Sequence, residues 1–331
     1  MIIKISNKTS KEETSKLLEF LLKKGIKYTK NDYLNSQAIK IEDNHFINNE
    51  LIEAFPNLEM FSNDKYVLVS RAFQKEDSVI NFAGRENIGK DFKIIAGPCS
   101  VETPKIMEEI AEKLTSLGIN IIRGGTYKPR TSPYDFQGQK SQGLKILFET
   151  SKKYNIASVS EILDYNLIEE YDKYVDAYQV GARNMQNYEL LRELGSKTKK
   201  PIILKRGPSA TIDEWLMSAE YIMLGGNENI ILCERGLKTI SDKTRNTLDL
   251  SSVIALKELT HLPIIVDPSH GSGRRDMVRA LSLASYVVGA DGVLIETHPE
   301  PEKSLSDPFQ AIDFEELERL VKEINKLKTI L

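Results

Sequence analysis

Cysteine is scarce in this chain of 331 residues. The two that occur, Cys99 and Cys233, lie far apart, which excludes a disulfide framework and points to a reduced, cytoplasmic setting. Neither sign of charge is in large excess: 45 basic against 48 acidic residues leave a net charge of −3. The surface as a whole therefore has no pull on nucleic acid or anionic lipid, and any affinity for anions must come from a local basic cluster. No apolar run approaches the roughly 18–20 residues of a membrane span. The opening MIIKISNKTSKEET lacks the apolar core of a secretion signal.

The rest is ordinary for a globular protein, with 40% hydrophobic and 28% charged residues. The length suits a barrel of roughly 250 residues with a small extra module. Residues 1–71 read as that module. MIIKI predicts a strand, and Thr9 and Ser10 with Glu12 and Glu13 offer capping-box spacing for a helix carrying Leu17, Leu18, Phe20, Leu21 and Leu22. Strands near 27–30 and 38–41, a helix near 48–55 and a strand at 66–70 complete a βαββαβ order, which predicts a ferredoxin-like α+β domain. Residues 72–91, polar and Gly-containing, read as a linker or as a short hairpin capping the barrel bottom.

From Phe92 eight short apolar runs alternate with helix-length amphipathic stretches: FKIIAGPCS, INIIRGG, ASVSEI, AYQVGA, PIILKR, IILCER, PIIVDP and GVLIET. Strands alternating with helices imply parallel pairing through right-handed crossovers. Eight units across residues 92–331 predict a closed (β/α)₈ TIM barrel, an α/β fold. The glycine-rich dinucleotide turn expected of an open doubly wound sheet does not follow Ile95.

In such a barrel, chemistry gathers at the C-terminal ends of the strands. Those ends carry Cys99, Arg123, Glu161, Arg183, Lys205 with Arg206, Arg235, Asp267 with His270, and Glu296. A single arginine there is most simply a solvated loop charge, and Cys99 alone a buried thiol. Together they separate into two chemical sets. Cys99, His270, Glu296 and Asp307 are first-row metal ligands, suited to Mn, Fe, Co or Zn more than to Ca or Mg. Arg123, Lys128, Arg130, Arg183, Lys205, Arg206 and Arg235 would repel one another unless an anion or carboxylates compensate. Their forks suit phosphorylated substrates. The loop GGTYKPRTSPYDFQG (124–138) resembles a phosphate clamp, with Pro129 fixed and hydroxyls at Thr131 and Ser132.

Several strings, in order and spacing, resemble the 3-deoxy-D-arabino-heptulosonate 7-phosphate (DAHP) synthase family. They are AGPCSVE (96–102), RGGTYKPRTSPYDFQG (123–138), GARNMQN (181–187), LKRG (204–207), ILCERG (231–236), RNTLDL (245–250), VDPSHGSGRRD (266–276) and ETHPEPEKSLSD (296–307). The resemblance runs from Phe92 to the C-terminus, and the subfamily it looks most like carries an N-terminal ferredoxin-like regulatory domain. It implies condensation of phosphoenolpyruvate with erythrose 4-phosphate, the first step of the shikimate pathway. It further implies a divalent metal held by Cys99, His270, Glu296 and Asp307. Phosphoenolpyruvate would meet Arg123, Lys128, Arg183, Lys205, Arg235 and His270, and erythrose 4-phosphate would meet Pro129, Arg130, Thr131 and Asp307. Lys128, His270 and Cys99 would be the catalytic residues, and the enzyme a homo-oligomer, a tetramer or a dimer.

The N-terminal strings match only weakly. They fit an effector domain for an aromatic amino acid, tyrosine or phenylalanine, and equally a structural or oligomerising domain. Two departures stand out: Gly271–Ser272, in an order that differs from relatives, and Pro308 after Asp307, where relatives often have glycine. The rival within the superfamily, 3-deoxy-D-manno-octulosonate 8-phosphate synthase, carries a KANR-type run where this chain has Lys128-Pro129-Arg130-Thr131. A rival of another class is a non-catalytic sensor of aromatic amino acids, against which the intact strand-end set argues.

Overall fold

The computed structural model describes residues 1–6, 9–33, 36–42, 49–61, 65–128, 132 and 134–330. Its N-terminal part runs β1 (Ile2–Ser6), α1 (Lys11–Lys23), β2 (Tyr28–Tyr33), β3 (Ser36–Ile41), α2 (Asn49–Ala54) and β4 (Glu59–Phe61). The sheet order is β2-β3-β1-β4 with antiparallel neighbours, which is the ferredoxin-like arrangement. Ser10 caps α1, its hydroxyl accepting from the Glu13 amide at 3.0 Å. Leu17 and Leu21 of α1 are buried against Ile3, Ile39 and Leu51, while Leu22, expected on the same face, is exposed. The opposite face of the sheet rests on Phe73, which meets the rings of Tyr33 and Phe61 and the Lys4 ammonium.

One strand expectation is corrected. The fourth strand is Glu59–Phe61, and residues 66–70 are not a strand of this sheet. The apolar Val67, Leu68 and Val69 are buried for another reason: they pack against the barrel. The amides of Leu68 and Val69 donate to the Glu220 carboxylate at 2.9 and 3.1 Å, and the Leu68 carbonyl lies 2.8 Å from His261 Nε2. Burial raises the Glu220 pKa despite these amides.

The barrel is closed. Its strands are β7 (Lys93–Gly97), β8 (Ile121–Arg123), β9 (Ala157–Ile162), β10 (Ala177–Val180), β11 (Ile202–Lys205), β12 (Ile230–Glu234), β13 (Ile264–Val266) and β14 (Gly292–Glu296), with β14 pairing back onto β7. Helices α3 (Pro104–Ser116), α4 (Lys140–Tyr154), α5 (Ile168–Tyr174), α6 (Tyr188–Lys197), α7 (Ile212–Leu224), α8 (Leu250–Leu259), α9 (Pro268–Ser272), α10 (Arg275–Val287) and α11 (Phe314–Leu327) intervene or follow. Among the described residues no helix is long and apolar enough to cross a membrane.

Within residues 72–91 a short hairpin is present: β5 (Ile80–Phe82) pairs with β6 (Glu86–Ile88). Ile80, Phe82 and Ile88 form one buried cluster with inward-facing strand residues such as Ile95, Ile121, Ile203 and Leu294. The hairpin thus plugs the lower end of the barrel with apolar side chains. Phe82 is fully buried in this plug. Phe82→Ala is expected to lower stability by about 3–5 kcal/mol, read by urea denaturation. A loss below about 1 kcal/mol would show that the hairpin does not carry the barrel floor.

Candidate active site

At the opposite end of the barrel the strand ends converge. Cys99 follows β7, Glu296 ends β14, His270 lies on α9 after β13, and Asp307 comes from the loop after β14. One ligand atom of each lies within 4.8 Å of the others. Cys99 Sγ is 3.0 Å from Asp307 Oδ2, and His270 Nε2 is 3.3 Å from Glu296 Oε1. Burial, with the Glu296 charge adding to it, pushes the Cys99 thiol up to about 12.

The neighbours fix how these groups point. Asp267, fully buried at the N-cap of α9, takes His270 Nδ1 at 2.8 Å and the His270 amide at 2.9 Å. That leaves His270 Nε2 turned toward the cluster, the usual orientation of a metal-binding imidazole. Lys205 Nζ also reaches Asp267 Oδ2, at 2.5 Å. Burial opposes the Asp267 charge, but His270 and Lys205 more than offset it and hold the carboxyl well below the usual range. Glu296 accepts from Arg123 at 2.7 Å and from Gln310 at 2.6 Å. Burial raises its pKa, and His270 with Arg123 outweighs burial.

The cluster opens onto a cavity of about 420 Å³. Lys128, Arg183, Lys205, Arg235, Lys238 and Arg245 line it, opposed by Glu161 and Asp307. Its walls depend on two glycines. A Cβ at Gly181 would lie 1.9 Å from Glu161 Oε1, and one at Gly125 would lie 3.1 Å from Lys128 Nζ. Lys128 crosses that space to place Nζ 3.0 Å from Cys99 Sγ and 3.1 Å from the Cys99 carbonyl. Burial works against its ammonium, but Cys99, Glu161 and Glu296 outweigh it and keep the group protonated.

The expected cations do not all share this cavity. Lys128, Arg183, Lys205 and Arg235 line it. Arg123 lies beneath, paired with Glu296, with its Nε buried and without a hydrogen bond. Arg206 is the correction: it turns to the outer side of the barrel wall, onto Glu234 at 3.0 Å, Asp249 at 3.1 Å and the Trp215 ring. Pro129, Arg130 and Thr131 lie outside the described residues. Sequence reasoning missed Lys238 and Arg245 as lining residues. Arg245 opens the RNTLDL string, so a signal was present. Its guanidinium is 3.3 Å from Asp307 Oδ1.

Chemically, the cluster offers a thiol, an imidazole and two carboxylates whose lone pairs face one another. A borderline divalent cation fits such a donor set. The cavity beside it offers concentrated positive charge for anions. Arg235 illustrates this: no hydrogen bond or ion pair holds its side chain among the described residues, and burial lowers its pKa.

The model of the DAHP synthetase I family matches residues 72–331. The phospho-2-dehydro-3-deoxyheptonate aldolase of Thermotoga maritima is 52% identical over 267 residues, covering 80% of this chain and 78% of that protein. A crystal structure of the DAHP synthase of Thermotoga maritima aligns with a TM-score of 0.80 at 44% identity, covering 99% of this chain and 97% of that one. A 2-dehydro-3-deoxyphosphooctonate aldolase of Stenotrophomonas maltophilia is 29% identical over 255 residues, covering 72% of this chain and 91% of that protein.

The two buried or half-buried arginines after β11 and β12 should respond oppositely to removal of charge. Arg206→Met strands the fully buried Glu234 and is expected to cost about 3–5 kcal/mol in urea denaturation. Arg235→Met removes an unpaired charge and should leave stability unchanged or raise it by about 1 kcal/mol. Equal losses in both variants would contradict the division between wall and cavity.

Proposed function

The chain belongs to the DAHP synthetase I family, and we propose that its strand-end residues divide the work of a 3-deoxy-7-phosphoheptulonate synthase between a cation-holding cluster and an anion-holding cavity. The enzyme condenses phosphoenolpyruvate with D-erythrose 4-phosphate and water, giving DAHP and phosphate. The observation that carries the division is the meeting of Cys99, His270, Glu296 and Asp307 beside a cavity lined by six lysines and arginines.

In this reading Cys99, His270, Glu296 and Asp307 hold a divalent ion, Mn, Fe, Co or Zn, which supplies Lewis acidity at a substrate oxygen when bound. Lys205, Arg183 and Arg235 bind phosphoenolpyruvate, and Arg123 supports that site from beneath through Glu296. Pro129, Arg130 and Thr131, with Asp307, take erythrose 4-phosphate. The cations hold two anionic substrates face to face and offset their repulsion, so that C3 of phosphoenolpyruvate meets the sugar aldehyde at short range. The new C–C bond forms there, water adds at C2, and phosphate leaves from C2. Lys128, protonated and facing the cavity, donates a proton to the developing alkoxide. His270 and Cys99 complete the catalytic set through the ion they hold.

We also propose residues 1–71 as a regulatory domain answering to tyrosine or phenylalanine. Supporting this, the module has its own core, and it joins the barrel through its outer sheet face, where Tyr33 and Phe61 pack on Phe73 and Asn31 Nδ2 donates to the Leu224 carbonyl at 2.9 Å. Residues 72–91 go with the barrel as its plug, and residues 92–331 are the catalytic domain. A homo-oligomer, a tetramer or a dimer, is proposed, with light scattering as its measure. A cytoplasmic setting is proposed as well, a reading that the two buried free cysteines support.

Phosphoenolpyruvate consumption should occur with erythrose 4-phosphate and fall to background with chelator. Cys99→Ala should lose at least about 100-fold, the scale of roughly 3 kcal/mol of transition-state stabilisation. Turnover with arabinose 5-phosphate alone would overturn the substrate assignment, and full activity of Cys99→Ala in metal-free buffer would overturn the cluster's role. Tyrosine or phenylalanine should inhibit the full chain and not a variant lacking residues 1–61, which keeps Val67, Leu68 and Val69 packed on the barrel. Equal response of both would place regulation elsewhere.

A further inference from the structure

We infer that Glu102 is a positioning residue for the cation cluster, acting through the loop that carries Asp307. Glu102 touches none of the four cluster residues. It lies beyond β7, 4% exposed, beneath the loop that follows β14. Its Oε1 accepts from the Leu305 amide at 2.9 Å and from the Ser304 hydroxyl at 3.3 Å. The Ser304 hydroxyl also lies 2.9 Å from the Ser306 carbonyl. The next residues then reach the cluster: Ser306 Oγ and Asp307 Oδ2 each lie 3.0 Å from Cys99 Sγ.

A second observation makes this a built arrangement. His298, 2% exposed, stands at the start of the same loop, and its Nδ1 accepts from the Glu300 amide at 3.1 Å. The ring proton is therefore on Nε2, which is buried without a hydrogen bond and faces Glu102 Oε2 at 3.7 Å. A buried N–H is left unsatisfied only where the surrounding structure imposes it. Here it is aimed at the one carboxylate that clasps the loop. Glu102 thus joins the first strand end to both the start and the middle of the last loop.

The need for a clasp is local. Asp307 has φ +51°, in the left-handed region that a non-glycine residue enters at a cost, and Pro308 follows it. Without Glu102, the amide of Leu305 loses its acceptor, and the Ser304 hydroxyl is left with the Ser306 carbonyl alone. The clasp on residues 304 and 305 is then gone, and fewer contacts oppose relaxation of Asp307 away from Cys99. Such supporting partners typically govern metal affinity by 10–100-fold.

The inference rests on the proposed cation cluster, and cobalt(II) separates the two. Wild-type protein should bind Co²⁺ with a thiolate charge-transfer band from Cys99. Glu102→Ala should keep that band, lose about 10–100-fold in affinity, and change its d–d intensity as the Asp307 carboxylate withdraws. Glu102→Gln retains an oxygen acceptor for Leu305 and should recover most of the affinity. In metal-free Glu102→Ala, amide exchange should quicken across residues 304–307 while the far-ultraviolet dichroism stays that of the wild type. A wild-type protein without the thiolate band would overturn the cluster and the inference with it. A wild-type band with unchanged affinity, spectrum and exchange in Glu102→Ala would overturn the positioning role alone. So would equal loss in the alanine and glutamine variants.

Discussion

Glu296 is fully buried and charged, and the way that charge is tolerated organises the whole mouth of the barrel. Arg123 comes from β8, Gln310 from the last loop and His270 from the short helix after β13; each approaches the same carboxylate. A buried carboxylate without such partners would neutralise itself or destabilise the fold. Because the partners come from separate strand ends, satisfying Glu296 fixes the relative positions of β8, β13 and β14. Asp267 repeats the arrangement one strand away, with Lys205 and His270. His270 stands between the two carboxylates, its Nδ1 held by Asp267 and its Nε2 3.3 Å from Glu296 Oε1.

This pairing sorts the cations. Arg123 and Arg206 are consumed by Glu296 and Glu234, so they support the wall. Lys205 is paired but still reaches the cavity, and Arg235 reaches it unpaired. Charge density in the cavity is thus a remainder, left after the structural ion pairs are made. Stability sits at the other end. The hairpin of residues 80–88 fills the floor with apolar side chains, and its charged Arg85 and Glu86 pair outside that cluster with Asp176 and Lys93. Separating packing from chemistry in this way lets the mouth hold opposed charges that would cost too much in a floor.

Much of this was legible in the sequence, for a physical reason. Parallel barrel strands are buried on both sides, so most appear as near-continuous apolar runs, broken here by Ser158 and Ser160 in β9 and Gln179 in β10. The charged residue at the end of a run marks the mouth. The eight runs and the metal-competent residues behind them could be read that way. Direction could not. Lys205 and Arg206 are adjacent, and nothing in their spacing says which one faces inward; the buried Glu234 and the half-buried Asp249 decide it. Lys238 and Arg245 sit in a loop with no period, so Arg245 was hinted at only by its place in the RNTLDL string and Lys238 by nothing. Residues 66–70 misled because apolarity reports burial and not the partner: Val67, Leu68 and Val69 are buried by the barrel, not by a sheet.

Pro308, where relatives often have glycine, stiffens the chain directly after Asp307. In the structure the carboxylate still lies 3.0 Å from Cys99 Sγ, although Asp307 has φ +51°. A residue held in that region costs on the order of 1–3 kcal/mol and persists only when its surroundings over-determine it. Several contacts do so here. Arg275 donates to the Pro308 carbonyl at 2.7 Å, Arg245 pairs with Asp307 Oδ1, and Glu102 anchors residues 304 and 305. Proline then works with these contacts, because a fixed φ at 308 removes alternatives to which the loop could relax. The loop is therefore shaped by the protein's own bonds, and the four donor groups stand together through the fold itself.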